Sequence, residues 1–375
     1  MRPRSLFTRI VIYGVLIVLS ALFLMPLGWT ISTSLKVTER TMQLPPEWLP
    51  RRQARVIAQA AHRVEGGWAI DRRSAREPRR VFRATDDEGA VLKVVELAEA
   101  EGAKVVSVLE PANRRDEILD LSLDRTTDRG ETTARFEPIL KPHLEWGNYA
   151  DAVMYRSEEL GYIPMLRYAR NTLYLAVLSV TGTVISNALV AYGFARIRWR
   201  GREVLFALTL ATMMVPFPVT MVAVFSIFKE LGWIGSFRPL WVPAWLGSAF
   251  SIFLLRQFFM SIPPDLSDAA AIDGCGELQT FWHIILPLAK PALAVVALFH
   301  FMYVWNDFLG PLIYLTDESM FTLSLGLQAY QSQHGGTEWS MLMAASMIVI
   351  TPLIVLFFLT QRTFIQGVRL TGIKG

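Results

Sequence analysis

Six long apolar segments constrain the fold of this 375-residue chain more than any other feature of its sequence. Each can cross a hydrocarbon core of about 30 Å as a helix of roughly 20 residues. We predict spans near Ile10–Ser32, Thr172–Ala195, Val204–Phe228, Leu240–Phe259, Pro291–Leu315 and Ser340–Thr360. Hydrophobic residues make up 52% of the chain, which favours a membrane protein over a soluble one. The first segment is too long for a signal peptide and lacks a good cleavage site, so we expect it to stay attached.

Basic residues indicate the orientation of these segments. They gather near the N-terminus, in the turn after the second segment and in the C-terminal tail, at Arg2, Arg4, Arg9, Arg196, Arg198, Arg200, Arg202, Arg362, Arg369 and Lys374. The segment Thr316–Trp339 has neither lysine nor arginine. Because short cytoplasmic loops are rich in these residues, we place both termini, residues 196–203 and the stretch around Asp268 in the cytoplasm. The sequence thus predicts an all-α membrane protein of six transmembrane helices.

Composition and motifs exclude several functional classes. The net charge of the chain is only +4 and the basic residues form short clusters, which argues against a nucleic-acid partner. The chain has no Walker A glycine loop, HExxH, CxxC or GxSxG sequence, so we expect no catalytic residue, metal site or cofactor in it. Its single cysteine, Cys275, allows no internal disulfide. Prolines interrupt most of the segments, which suits a transport path better than a simple anchor.

Residues 51–143 differ from the rest of the chain. They are rich in charges of both signs, and segments such as RRVFRATDD and AVLKVVELAEAEGAKVVSVLEP combine β-rich runs with a helical one. We predict a small extracytoplasmic α+β insertion between the first and second spans, because long loops translocate regardless of their charge. The predicted organisation is residues 1–50 with the first span, insertion 51–143 and membrane core 144–375. The insertion is either a docking surface for an extracytoplasmic partner or an embellishment without a separate task.

A polar stretch with a recognisable spacing, DAAAIDGCGELQTFWHIILPLAKP, occupies Asp268–Pro291 between two apolar segments. Asp268-Ala269-Ala270, then Gly274, then Ile284-x-Leu286-Pro287 resembles the EAA loop of ABC-importer permeases. The one departure is Asp268, where the family has Glu, which shortens the reach of the carboxylate by one methylene. The resemblance to the carbohydrate, maltose-transporter type extends to IPPDLSDAAAIDG, AYGFARIRWRGRE, WNDFLGPLIYL and QRTFIQGVRLTGIKG, and covers roughly three quarters of the chain.

This resemblance implies the type I ABC importer permease fold and a set of partners. A second, similar permease would complete the pathway, an ATPase dimer would bind the cytoplasmic face with its ATP and Mg²⁺, and an extracytoplasmic binding protein would deliver the solute. The residues implied to couple to the ATPase are Asp268, Ala269, Ala270, Asp273, Gly274, Ile284, Leu286 and Pro287. The C-terminal tail adds candidate ATPase contacts at Gly367, Gly372, Lys374 and Gly375.

Ionisable and polar residues in the fifth segment are candidates for the pathway lining. His300 and Asp307 are seven residues apart and so share a helical face, with Tyr303 and Asn306 nearby. Such groups are costly in lipid and should face the protein interior. They either line the solute path or form structural hydrogen bonds, and we favour the structural role for Asp307. Arg256, near the cytoplasmic end of the fourth segment, is expected to snorkel toward water.

The sequence therefore predicts a permease subunit of a carbohydrate ABC importer in a bacterial inner membrane, and not an enzyme. One alternative is a permease for glycerol 3-phosphate or another small solute. A second alternative is a membrane-anchored sensor whose residues 51–143 bind an extracytoplasmic ligand. Such a sensor would not need the EAA-like loop, so the spacing of the loop argues against it. An ion-driven secondary transporter would usually show inverted repeats and paired intramembrane carboxylates, and neither is apparent.

Overall fold

The fold is taken from a computed structural model, which describes residues 6–42, 46–64, 67–71, 74–85, 91–100, 103–111, 118–122, 136–155, 164–331 and 337–371. The chain divides into two compact units, Met1–Asn148 and Tyr149–Gly375. The boundaries that we predict at residues 50 and 143 stay predictions.

The first unit begins with helix α1, Leu6–Ser34. Its portion Ile10–Ser34 is apolar enough to cross a membrane. The most apolar 18-residue window of this portion contains no buried residue. A short 3-10 turn at Thr38–Arg40 follows. Ten strands come next: β1 Arg51–Gln53, β2 Arg55–Ala58, β3 Ala61–Val64, β4 Gly67–Ile70, β5 Glu77–Thr85, β6 Val91–Ala100, β7 Ala103–Glu110, β8 Ile118–Ser122, β9 Phe136–Pro138 and β10 Leu140–Pro142.

Antiparallel pairing organises these strands around β5, β6 and β7. The largest sheet runs β2-β5-β6-β7-β8, with β9 also paired to β5, while β1 pairs with β10 and β3 with β4. The two ends of the strand region meet, since Arg51 pairs with Pro142 and the Glu145 amide donates to the Leu35 carbonyl at 2.9 Å. The Asn148 side chain reinforces this closure by donating to the Ser34 and Lys36 carbonyls, each at 2.8 Å. Joined ends are what an insertion into an existing loop requires.

The helical part of our α+β prediction is wrong for the described residues of 51–143, which form strands and no helix. The segment AVLKVVELAEAEGAKVVSVLEP, in which we predicted a helical run beside β-rich ones, supplies the paired strands β6 and β7. Leu92 and Val94 alternate along β6 and pack with Val106 and Val108 of β7 in one buried cluster. This period of two, in residues that are largely β-branched, outweighs the helix propensity of the Ala and Glu residues in the second half of β6.

The second unit is helical. Helix α2, Gly147–Met154, lies at the boundary of the two units. The remaining helices are α3 Met165–Ala195, α4 Arg202–Ala211, α5 Phe217–Glu230, α6 Arg238–Trp241, α7 Ala249–Ser261, α8 Asp265–Ile272, α9 Glu277–Thr280, α10 Leu286–Leu288, α11 Lys290–Asn306, α12 Leu309–Tyr314, α13 Leu323–Gly326 and α14 Trp339–Thr371. The long helix α3 is central, because α7 and α11 both pack against it. One buried cluster near the C-terminal end of α3 includes Phe194, Phe206, Leu255, Phe259, Phe281 and Ile285.

Four helical stretches of the described chain are long and apolar enough to span a membrane, or up to six if each of two bent pairs counts as one span. The count of six spans therefore stays a prediction, and the third and fifth predicted segments are not single straight helices. Helices α4 and α5 meet at an angle of 100°, because Pro216 holds Val215 in an extended conformation. The second bent pair joins Glu277–Leu288 to α11 at an angle of 77°. Helix α11 itself ends at Asn306, where Asp307 leaves the helical conformation, and α12 begins separately.

Candidate functional site

The polar stretch between α7 and α11 begins as a short helix with a well-defined end. Helix α8 carries Asp265 and Asp268 in its first turn, where carboxylates favour the positive end of the helix dipole. It ends at Gly274, whose φ of +83° is the left-handed conformation that glycine adopts without strain. The Cys275 amide donates to the Ala270 carbonyl at 2.9 Å, and the Gly274 amide to the Ala271 carbonyl at 3.1 Å. This hydrogen-bond pair is a Schellman motif, so the glycine of the EAA-like spacing terminates the helix.

The second half of the stretch returns the chain to the helical core. The Gly276 amide donates to Gln279 Oε1 at 2.9 Å and so caps α9. A π-helical turn, Phe281–Ile285, follows, and its Phe281 and Ile285 side chains are buried. Of the three predicted residues here, Ile284 and Leu286 are partly buried and Pro287 is exposed. The residue that anchors the turn most deeply is thus Ile285, at the position that the motif leaves unspecified.

The face of this stretch that points away from the core is both acidic and apolar. Asp268, Ala269, Asp273 and Gly274 are exposed, and Ala270 is buried. Beside them Ile272 is 87%, Leu278 74% and Trp282 64% exposed. Motif reasoning missed these three residues. Large apolar residues within a polar loop were the available signal, because such a patch marks an interaction surface. We call Ile272, Leu278 and Trp282 the apolar face of the loop.

Two side chains from the end of α3 hold the loop. The Tyr192 hydroxyl donates to Glu277 Oε2 at 2.6 Å, and its ring lies 4.9 Å from the ring of Phe281. Arg196 donates to the Ile262 carbonyl, just before α8. Burial lowers the pKa of Arg196, and the negative charge of Asp268 acts in the opposite direction. Movement of the loop would therefore be transmitted to the end of α3.

Arg256 on α7 is a correction to the sequence prediction, because it does not snorkel. It is 7% exposed and lies 4.1 Å from the ring centre of Phe206. Its Nη2 donates to both oxygens of Glu203 at 3.1 and 3.2 Å, and its Nε donates to the Phe194 carbonyl at 3.3 Å. The carboxylate that attracts it inward lies 53 positions earlier in the chain, out of reach of local sequence reasoning.

The candidate pathway residues fall into two groups. His300 has a buried Nε2 without a hydrogen-bond partner in the described chain, and its ring stacks on exposed Tyr303 at 5.8 Å. Asn306 and Asp307 instead make local bonds: Asn306 donates to the Met302 carbonyl at 2.8 Å, and Asp307 Oδ1 accepts from the Gly310 amide at 3.0 Å. Asp307 thereby joins the end of α11 to the start of α12, and the structural role that we favour for it stays a prediction.

The structure describes only part of the C-terminal tail. Gly367 lies within α14, while Gly372, Lys374 and Gly375 lie outside the described residues. Among the residues that the structure does describe, no group of three or more His, Cys, Asp or Glu side chains is placed to hold a metal ion.

Known proteins resemble this chain over its helical part. The family described as binding-protein-dependent transport system inner membrane component matches residues 185–370. The arabinooligosaccharides transport system permease protein AraQ of Halalkalibacterium halodurans is 34% identical over 205 residues, which are 55% of this chain and 73% of the relative. The trehalose/maltose transport system permease protein MalG of Thermococcus litoralis is 33% identical over 210 residues, 56% of this chain and 75% of the relative.

A solved structure agrees at the level of the fold. One chain of a bacterial ABC transporter involved in the import of the acidic polysaccharide alginate superposes with a TM-score of 0.61 at 18% identity, covering 96% of this chain and 99% of the other. The motif spacing, the relatives and the fold agree. The chain therefore belongs to the family of binding-protein-dependent transport system inner membrane components, the permease subunits of ABC importers.

Proposed function

We propose that this permease carries mono- or oligosaccharides into the cell by alternating access, driven by ATP hydrolysis in a partner subunit. Two relatives that are identical to it at about a third of the aligned positions are named for arabinooligosaccharides and for trehalose/maltose. Import of glycerol 3-phosphate or another small solute is the alternative. We also propose six membrane spans, with α4 and α5 crossing as one span, α11 supplying the fifth span, and both termini in the cytoplasm of a bacterial cell.

The loop at Asp268–Pro287 is the proposed seat of the ATPase. The observation that carries this proposal is the apolar face, Ile272, Leu278 and Trp282, exposed beside Asp268 and Asp273. An apolar centre with a charged rim is the usual composition of a protein interface. Exposed Ala269 and Gly274 allow a close approach, and the carboxylates can pair with basic groups opposite. Of the remaining motif residues, buried Ala270 and partly buried Ile284 and Leu286 shape the loop from its inner side, and Pro287 is exposed.

ATP and Mg²⁺ are held by the partner ATPase in this proposal, and this chain converts their turnover into motion. Tyr192 and Arg196 link the loop to α3, and α3 packs against α7 and α11. Closure of the ATPase dimer would shift the loop and, through these links, the helices that border the path. Gly367, Gly372, Lys374 and Gly375 of the tail are proposed as further ATPase contacts.

The other partners follow from the family and are proposed in the same way. A second, homologous permease would complete the path, and a solute-binding protein would deliver the sugar on the extracytoplasmic side. The strand region 51–143 is placed on that side, either as a docking surface or without a separate task. His300 and Tyr303 are the candidates for the pathway lining, because the ring of Tyr303 is exposed and His300 Nε2 lacks a partner among the described residues.

Reconstitution tests this function. The chain would be purified with its second permease and ATPase, placed in proteoliposomes with the binding protein, and assayed for uptake of labelled arabinooligosaccharide, maltose and glycerol 3-phosphate. We expect sugar uptake that requires ATP. Uptake of glycerol 3-phosphate alone would overturn the carbohydrate assignment, and ATP-independent uptake would overturn the coupling.

A matched pair of variants tests the ATPase seat. Ile272→Asp places a charge in the apolar face and should abolish co-purification of the ATPase. Val91→Asp adds the same charge at a side chain that is also exposed, at the start of β6, and should leave co-purification unchanged. If Ile272→Asp still retained the ATPase and coupled hydrolysis, the loop would not be its docking site.

A further inference from the structure

The turn between α3 and α4 contains a basic cavity that the proposed transport cycle does not use. Arg196, Arg198, Arg200 and Arg202 lie within seven residues. A shallow cavity of about 360 Å³ opens here and is lined by Arg198, Trp199, Gly201, Arg202, Glu203 and Val204. Gly201, with a φ of +85°, turns the chain into α4.

Some of the charges around this cavity are already paired, and others are free. Glu203 accepts from Arg202 at 2.9 Å and from buried Arg256 at 3.1 Å, so its negative charge is shared by two guanidinium groups. Arg202 also donates to the Ile197 carbonyl at 3.3 Å. The exposed side chains of Arg198 and Arg200 form no hydrogen bond or ion pair with any residue that the structure describes. The cavity therefore retains an uncompensated positive charge suited to an anion.

An apolar stripe on α4 continues from the same cavity. Val204, which lines it, is 65% exposed, and Leu208, one helical turn further, is 57% exposed on the same face. Trp199 lies at the rim, where its Nε1 donates to the Gly193 carbonyl at 3.1 Å and its ring packs 5.8 Å from Phe194. Tryptophan in such a position is typical of the boundary between lipid and water.

We propose that this cavity binds the phosphate of an anionic phospholipid, with an acyl chain lying along Val204 and Leu208. Arg198, which lines the cavity, would contact the phosphate, and Arg200, between the lining residues Trp199 and Gly201 in the chain, would add its positive charge nearby. A cationic cavity joined to an exposed apolar stripe matches an amphipathic ligand, whereas a soluble phosphate would gain nothing from the stripe. Basic side chains next to a membrane-spanning helix are the usual contacts of anionic head groups. The lipid would hold the α3–α4 turn at the membrane surface, close to Tyr192 and Arg196, which hold the loop.

Lipid binding to the purified permease complex tests this site. Native mass spectrometry would count phosphatidylglycerol bound in a titration, with phosphatidylcholine as the neutral lipid. Each arginine should contribute about 1 kcal/mol, a fold-change of about five, so Arg198→Gln with Arg200→Gln should weaken phosphatidylglycerol binding by about 25-fold. Leu208→Asn should weaken it as well, by interrupting the stripe. The control, Arg51→Gln with Arg80→Gln, removes two exposed arginines of the strand region and should change nothing.

Three results would overturn the lipid site. The first is unchanged phosphatidylglycerol binding in the Arg198→Gln, Arg200→Gln variant at an unchanged melting temperature. The second is displacement of the lipid by inorganic phosphate, with Leu208→Asn without effect, which would make the cavity a site for a soluble anion. The third is loss of ATPase co-purification in the double variant while lipid binding persists, which would make the turn a protein contact. None of these three results is a measurement of sugar uptake, so the transport function and the lipid site are tested separately.

Discussion

The hydroxyl of Tyr192, near the end of α3, lies 2.6 Å from the carboxylate of Glu277, which is 85 residues further along the chain at the start of α9. The same hydroxyl approaches the Glu277 carbonyl at 3.3 Å, and the Tyr192 ring packs 4.9 Å from Phe281. A buried aromatic residue of the helical core thus holds an exposed segment of the loop in position. Because Glu277 is bonded through both side chain and backbone, the loop cannot move freely without moving α3.

Tyr192→Phe should weaken this link while keeping the ring in place. Glu277 is exposed and can be solvated instead, so we expect a loss of only about 1 kcal/mol in the free energy of unfolding. The larger effect should be on coupling, with less sugar transported for each ATP hydrolysed in proteoliposomes. Tyr174→Phe, an exposed tyrosine on the same helix, is the control and should change neither quantity. Equal transport per ATP in Tyr192→Phe and wild type would show that the link does not transmit motion.

Gly274→Val should disrupt the end of α8. A β-branched residue at a φ of +83° is strained by about 1–2 kcal/mol, although no atom lies within 4 Å of the added Cβ. Gly274→Asn should retain most of the local structure, because asparagine tolerates this conformation. We expect Gly274→Val to lose co-purified ATPase and Gly274→Asn to retain more of it.

Gly232→Val separates backbone strain from docking. Gly232 also has a positive φ, of +66°, and open space around its Cβ, but it follows α5 and lies outside the loop. Gly232→Val should lower the melting temperature about as much as Gly274→Val does, and it should retain the ATPase in full. Loss of the ATPase in both valine variants would attribute the Gly274 effect to general destabilisation.

Sequence patterns predicted the apolar segments and the EAA-like loop well, because long apolar runs and fixed spacings are local properties. They failed where distant residues decide the outcome. Arg256 turns inward because Glu203 and the Phe194 carbonyl accept its hydrogen bonds. Strands β6 and β7 pair because the apolar side chains of each pack against those of the other. The break at Val215 could have been predicted from Pro216 and Pro218, but the size of the angle between α4 and α5, 100°, could not.

Gly182→Ala should destabilise the contact between α3 and the 3-10 turn at Val242–Leu246. A Cβ at Gly182 would clash with Cδ1 and Nε1 of the Trp245 indole, so the ring or the turn must move. Overpacking of this kind costs about 1–3 kcal/mol, partly offset by the higher helix propensity of alanine. Thermal unfolding in detergent should show a lower melting temperature, and adding Trp245→Leu should restore part of it. Gly193→Ala, in the same helix with nothing within 4 Å of its Cβ, should be neutral or stabilising.

Arg256→Gln should loosen the junction of α3, α4 and α7. The change removes the hydrogen bonds to Glu203 and to the Phe194 carbonyl, and the cation's contact with the Phe206 ring. We expect a loss of about 2 kcal/mol, less than for a fully buried ion pair, because the Glu203 side chain is 63% exposed and partly screened by water. Arg256→Lys should recover little of the loss, since an ammonium group cannot reproduce the planar donor set of a guanidinium group. Arg238→Gln removes an exposed arginine and serves as the control for net charge in thermal unfolding. If Arg256→Gln had the same melting temperature as Arg238→Gln, the buried guanidinium group would contribute nothing to stability beyond its charge.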